Sequence, residues 1–179
     1  GKNGRVDLRK NLDRPFKEMT VIANTPGVIY DNILIQGTRV HEGPGASPGH
    51  IRAYDLKTGE MVWRFNTIPH PGEYGYESWP KKAWKHMGGA NSWAGMTLDE
   101  ETGIVYIPTG SASYDFWGGN RSGKNLFANS LIALNAKTGK RIWHFQFIHH
   151  DLWDRDLPAP PNLVEINREG KKIKAVAQV

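Results

Sequence analysis

The stretch HHDLWDRDLPAPP at 149–161 gathers two histidines, three aspartates and one tryptophan into its first eight residues and then runs into prolines. Side chains two apart on an extended chain point the same way, so Asp154 and Asp156 are expected to present two acids on one side while Arg155 faces away. Close carboxylates repel unless a cation lies between them, and hard oxygen donors suit a calcium-like ion. An acid kept ionised beside such an ion can take the proton of a substrate hydroxyl. His149 and His150 are adjacent, which in a strand sends them to opposite faces, a poor arrangement for a shared zinc. The plainer alternative is a polar crossover in which the aspartates cap turns and Trp153 packs.

Three other stretches carry chemistry-bearing groups. GGANSWAG at 88–95 puts Trp93 at the start of an inner strand, among glycines that allow close backbone approach. That indole serves either a planar ligand or a core. TRVHEGPGASPG at 38–49 holds Glu42, a lone carboxylate in a Gly/Pro loop. TGSASYDFWGGNR at 109–121 offers Ser111, Asp115 and Asn120 as oxygen donors, with no spacing that singles one out.

An internal repeat defines the elements that must position these groups. AYDLKTGEMVWRF at 53–65 and ALNAKTGKRIWHF at 133–145 match at six of thirteen positions, 80 residues apart, and LDEETGIVYI at 98–107 echoes the D-x-x-T-G turn. Apolar alternation into Asp or Asn, a Thr-Gly turn, and alternation again is the pattern of a β-hairpin. Strands are expected at 28–30, 33–36, 50–55 and 61–65, then at 94–98, 104–108, 130–135 and 141–147, with a further pair at 163–166 and 173–176. Repeated four-stranded units with a tryptophan at a fixed place in the last strand indicate an all-β β-propeller. The units span about 20–66, 91–147 and part of a third at 160–179. About two and a half blades cannot close a ring, so the chain reads as a propeller fragment, with 1–179 a partial propeller domain. A small β-sandwich is the competing fold, and the 80-residue repeat argues against it. Long segments at 37–49, 66–93, 110–129 and 147–161 are of the length that carries function.

The 179 residues carry a formal charge of +5 with basic residues scattered, a solvated surface rather than a nucleic-acid patch. No apolar run reaches the roughly 18 residues of a spanning helix, and no signal peptide is visible. The opening GKNGRVDLRKN reads as an internal cut. Without cysteine there is no disulfide or thiolate site. Seven tryptophans are an unusual density, spent on packing, on a flat ligand, or on both.

Together these segments resemble the quinoprotein dehydrogenases, propeller enzymes that use pyrroloquinoline quinone (PQQ) and a divalent metal. AYDLKTGEMVW and ALNAKTGKRIW resemble the family's tryptophan-docking repeat, HHDLWDRDLPAPP its catalytic loop, GGANSWAG its cofactor-stacking strand, and TGSASYDFWGGNR a loop that supplies a metal ligand. The resemblance implies Asp154 as catalytic base and Trp93 under the quinone, with Asn91 and Arg39 as further cofactor contacts. It implies Glu42, Ser111, Asp115 and Asp156 as metal-binding candidates. Ser111 stands where many members have asparagine, a departure for which Asp115 can substitute, and Asp156 matches an extra acid of lanthanide-using members. Calcium, magnesium and a lanthanide all remain open. GTRVHEGPGASPGHIRAYD and the catalytic-loop wording look closer to the glucose and quinate type than to the methanol type, and the alcohol members' vicinal cysteine pair is absent.

The implied reaction is oxidation of a sugar, polyol or alcohol hydroxyl. Asp154 takes the O–H proton, and hydride passes from the substrate carbon to a quinone polarised by the metal. A quinone or cytochrome electron acceptor, the remaining blades of the parent chain and a periplasmic location follow from the same resemblance. The fragment alone is expected to be inactive. A non-catalytic scaffold for another protein, or a sugar-binding propeller, are the competing functions.

Overall fold

The computed structural model describes residues 1–15 and 19–179. The first sheet contains β2 (Val28–Tyr30), β3 (Ile33–Gln36), β5 (Ile51–Asp55) and β6 (Met61–Phe65), adjacent in that order and antiparallel throughout. A second repeats the meander with β7 (Thr97–Asp99), β8 (Ile104–Pro108), β9 (Ser130–Asn135) and β10 (Arg141–Gln146). The hairpin of β11 (Asn162–Arg168) and β12 (Lys171–Ala177) follows, tied back by Lys174 Nζ to Glu101 at 2.6 Å and by Thr97 Oγ1 donating to the Pro161 carbonyl. This is the all-β propeller arrangement expected from the repeat.

The turns repeat at atomic detail. In each D/N-x-x-T-G segment the first side chain accepts backbone N–H bonds: Asp55 from Lys57 and Thr58, Asp99 from Glu101 and Thr102, Asn135 from Thr138. The closing glycines, Gly59, Gly103 and Gly139, sit at φ 73°, 66° and 68°, where a side chain is disfavoured. Inward residues of the two sheets, among them Ile35, Ile51 and Ala53 against Val105, Ile107, Ile132 and Leu134, form one core. Trp63 closes it. Its Nε1 donates to the Ala136 carbonyl at 3.0 Å, and its ring lies so near Gly139 that a Cβ there would meet Cε3 at 2.5 Å. Its counterpart Trp143 is 37% exposed and rests against Tyr106.

The structure departs from the expected strands in several places. His50 and Phe147 fall outside their strands, and the 94–98 strand is Thr97–Asp99, so Trp93 lies in irregular chain ahead of β7 rather than at a strand start. The last hairpin is longer than expected. A pair of two-residue strands, β1 (Val21–Ile22) and β4 (Arg39–Val40), was not expected, the second lying inside the 37–49 loop segment, since both are too short to show periodicity. The 66–93 insertion holds two single-turn 3-10 helices, Tyr76–Ser78 and Ala83–Lys85, and buries Trp79 in a small core with Ala83 and Met87 that Ala112 and Ala128 complete. No helix among the described residues is long and apolar enough to cross a membrane.

Candidate active site

Three insertions are zipped together by backbone hydrogen bonds at one end of the sheets. Gly89 N–H donates to the Ser47 carbonyl at 3.1 Å and Gly49 N–H to the Gly89 carbonyl at 2.9 Å, joining the 37–49 and 88–93 segments. Ala90 N–H then donates to Ser111 and Gly110 N–H to Asn91, at 2.7 and 2.9 Å, adding the loop after β8. The 147–161 crossover closes the fourth side. Gly110 lets it approach closely, because a Cβ there would stand 2.5 Å from both oxygens of Asp156 and push that carboxylate aside.

The result is a cavity of about 190 Å³ whose walls include Arg39, Glu42, Asn91, Trp93, Ser111, Asp115, Asp154 and Asp156. Every residue that the family resemblance assigned to catalysis, cofactor or metal is therefore in one place, whereas Asn120 and Trp153 are not among the lining residues. His41 and Ser113 also line it and carried no sequence signal of their own. Asp154 and Asp156 share the cavity by a different route from strand alternation. The crossover is irregular and Asp154 sits in the left-handed region at φ 53°.

Trp93 is half-buried, and its indole N–H donates to Asp156 Oδ2 at 2.5 Å. The other oxygen of Asp156 accepts the Ser111 N–H at 2.6 Å. Asn91 is buried and donates Nδ2 to the Thr38 carbonyl at 2.9 Å, leaving its carbonyl oxygen uncommitted to that bond. Ser111 Oγ donates to Asp151 at 2.7 Å and accepts from Asn129 at 3.1 Å. Arg39 and Glu42 are exposed and form an ion pair at 3.5 Å. His149 and His150 are not among the lining residues, and the His150 ring is bonded instead to the Gly123 carbonyl.

Four carboxylates share this one small space, and two of them, Asp115 and Asp154, have a raised proton affinity. The Asp115 carboxyl is pushed up to about 7, first by burial and then by the charges of Asp154, Glu42 and Asp156, against the pull of Arg121. Asp154, exposed at the mouth, is also raised, by desolvation first and then by Asp156, Glu42 and Asp151. Asp151, just outside the cavity, behaves oppositely. Burial would raise it, but hydrogen bonds from Ser111, the Trp153 and Arg155 amides and Asn129 hold it below the ordinary carboxylate range.

A second cluster, Asp13, His50 and His70, brings its ligand-type atoms within 4.8 Å of one another. It does not suit a metal. His50 Nδ1 accepts the Thr67 N–H at 3.2 Å, so the buried neutral ring carries its proton on Nε2, and Arg64 already neutralises Asp13 at 2.9 Å.

Comparison with known proteins bears on this geometry. The model of the PQQ "Glucose/ethanol/alcohol dehydrogenase, beta-propeller domain" family matches residues 1–179. The chain belongs to this family of quinoprotein dehydrogenase propellers. It is 35% identical over 181 residues to quinoprotein glucose dehydrogenase A of Acinetobacter calcoaceticus, covering 98% of this chain and 22% of that protein. With the quinate/shikimate dehydrogenase (quinone) of Acinetobacter baylyi the identity is 36% over 168 residues, covering 92% of this chain and 20% of the relative. The solved quinohemoprotein alcohol dehydrogenase ADHIIG from Pseudomonas putida HK5 superposes with a TM-score of 0.79 at 31% identity, over 97% of this chain and 26% of that one. The chain thus spans about a fifth to a quarter of the length of these relatives.

The residues present fit the family's two groups. Glu42, Asp115, Asp154 and Asp156 are hard oxygen donors whose mutual repulsion, seen in the raised Asp115, a cation would relieve. Trp93 offers a flat ring in the same cavity, held at its edge by Asp156, against which a planar quinone can stack.

Proposed function

We propose that this chain supplies the base, the stacking indole and part of the metal shell to a PQQ- and metal-dependent dehydrogenase that oxidises a hydroxyl of a sugar, polyol or alcohol. The glucose-dehydrogenase type is preferred among these substrates. The single observation that carries the reading is that Asp154 and Trp93 open onto one cavity whose other walls are carboxylates.

Within this proposal Asp154 is the general base. It stands at the solvent-facing mouth with a raised proton affinity, a stronger base than an ordinary carboxylate and one that a substrate hydroxyl can reach. Trp93 sets the plane of the cofactor, and Asn91 and Arg39 contact its polar edge. Glu42 and Asp115 hold the cation, and the lone pairs left on Asp156 and Ser111 complete its oxygen shell. When bound, the quinone is the two-electron acceptor and the cation makes it more electrophilic. The chain's own residues bind and orient these groups and remove one proton, at Asp154 Oδ. Electrons then leave to a quinone or cytochrome acceptor, a reading supported by relatives named as quinone-linked and as quinohemoproteins. A periplasmic site for the parent protein belongs to the same proposal.

The test is Asp154→Asn in the complete enzyme. PQQ binding in the presence of calcium, followed by absorbance and tryptophan fluorescence, is expected to persist while turnover with glucose falls by about 1000-fold or more. Unchanged turnover rules out the base, and no spectral response in the parent enzyme favours a binding scaffold.

A further inference from the structure

Asp154 is the base of the proposed chemistry, and its backbone adopts a conformation that most side chains avoid. At φ 53° it occupies the left-handed region, which aspartate enters more readily than most side chains and which local hydrogen bonds can fix. The crossover around it has no strand partner. What imposes the conformation is visible three residues upstream. Asp151 is 3% exposed and turns its carboxylate back onto the chain that follows: Oδ1 accepts the Trp153 N–H at 3.0 Å, and Oδ2 accepts the Arg155 N–H at 2.6 Å. These are the amides immediately before and after Asp154, so one carboxylate grips both flanks of the base.

The grip is anchored to the sheet. Oδ2 of Asp151 also accepts from Ser111 Oγ at 2.7 Å, beyond β8, and from Asn129 Nδ2 at 3.0 Å, the residue before β9. Asn129 Nδ2 reaches on to the Arg155 carbonyl at 2.9 Å. Arg121, fully buried, donates to the Asp151 main-chain carbonyl and holds the root of the loop. Thus the two strands that carry the site's floor also carry the clamp.

We infer that Asp151 is a positioning residue, which fixes the loop geometry that aims Asp154 into the cavity without itself meeting substrate or cofactor. The inference rests on the assignment of Asp154 as base. It deepens that assignment by making the aim of the base depend on a carboxylate that does not line the cavity. An amide in place of this carboxylate cannot reproduce the clamp. With its oxygen in the place of Oδ2 it still accepts from Arg155, Ser111 and Asn129, but its NH₂ then meets the Trp153 N–H, donor against donor, so one flank is released and the charge on the other is lost.

The experiment uses the complete enzyme with PQQ and calcium, carrying Asp151→Asn, with Asp154→Asn as reference. Three quantities are read: kcat and KM for glucose, PQQ affinity, and amide hydrogen exchange at Trp153 and Arg155 in protein without cofactor. Asp151→Asn is expected to lower kcat by about 100-fold, the scale of a misaimed catalytic group, with KM and PQQ affinity within about threefold of the parent. Exchange at Trp153, whose acceptor is lost, rises on the order of 10-fold, and exchange at Arg155, whose acceptor loses its charge, rises by less. Amides that stay protected overturn the clamp. Freed amides with unchanged kcat overturn the positioning role, as does a folded variant whose PQQ affinity falls in parallel with kcat, which marks a purely structural residue. If Asp151→Asn does not fold, Asn129→Ala removes one donor to the clamp and its bond to the Arg155 carbonyl. It gives the same readings at lower amplitude, about 10-fold in kcat. Should Asp154→Asn keep full turnover, the base assignment falls by itself, and the exchange data still decide whether Asp151 holds the loop.

Discussion

Asp156 receives the indole N–H of Trp93 on one carboxylate oxygen, at 2.5 Å, and the backbone N–H of Ser111 on the other, at 2.6 Å. A residue expected from the sequence as a metal ligand is therefore also what fixes the stacking ring. Trp93→Phe keeps an aromatic face but loses this tether, whereas Asp156→Ala keeps the indole and frees it. Both changes are expected to weaken PQQ binding by about 10- to 100-fold, the worth of a hydrogen bond to a charged group. Fluorescence titration with PQQ in calcium-saturated enzyme measures it, and an Asp156→Ala enzyme with parental affinity contradicts the tether.

Asp115 predicts opposite effects with and without cation. Its carboxylate is destabilised by burial and by Asp154, Glu42 and Asp156, so Asp115→Asn removes a charge that the metal-free protein holds at a cost. Without calcium the variant is expected to unfold at a temperature equal to or above the parent's. With millimolar calcium the parent gains stability and the variant gains far less. Equal calcium-induced shifts in the two proteins remove Asp115 from the metal shell.

His50 gives the pH prediction. It is buried, its Nδ1 accepts the Thr67 amide, and burial followed by the charges of Arg64, His70, Arg52 and Arg14 holds its pKa well below 6.5, with Asp13 also close to His70. The unfolded chain protonates this imidazole near 6.5 and the folded one does not, so stability is lost as pH falls below that value. His50→Gln preserves an acceptor for the Thr67 amide. The decline of the unfolding midpoint between pH 7.5 and 5 is expected to be shallower in this variant, and identical slopes would show that His50 is not the group responsible.

Gly139 tests the seam between the sheets. Alanine there takes on a left-handed φ of 68° and puts its methyl group 2.5 Å from the Trp63 ring. The expected loss is on the order of 2 to 4 kcal/mol, read by denaturant unfolding. Gly170 has a similar φ, 75°, with open space around it, so Gly170→Ala is expected to lose only the backbone part. Comparable losses at the two sites mean the indole contributes nothing to the seam.

The strands were legible because their cause is local: alternation and a D/N-x-x-T-G turn act within about a dozen residues, and the observed strands fall on them within a few positions. The β1–β4 pair was not, since two residues carry no period. The cavity's residues were reached through motifs, and their convergence could not be read from any one motif. The bonds that shape the site link residues far apart, Trp93 with Asp156 across 63 positions and Ser111 with Asp156 across 45. The left-handed turn at Asp154 lies between two amides held by Asp151, whose carboxylate is itself anchored by Ser111 and Asn129, 40 and 22 positions away, and strand alternation carries no sign of that bonding.

The bond from Trp63 to the Ala136 carbonyl joins residues 73 positions apart. On a ribosome adding roughly 5–20 residues per second, that acceptor emerges several seconds after the indole. Throughout the interval the first sheet presents a bare aromatic face to the cell, so the nascent chain is most vulnerable to chaperone capture or clumping between one blade and the next, before any cofactor can contribute.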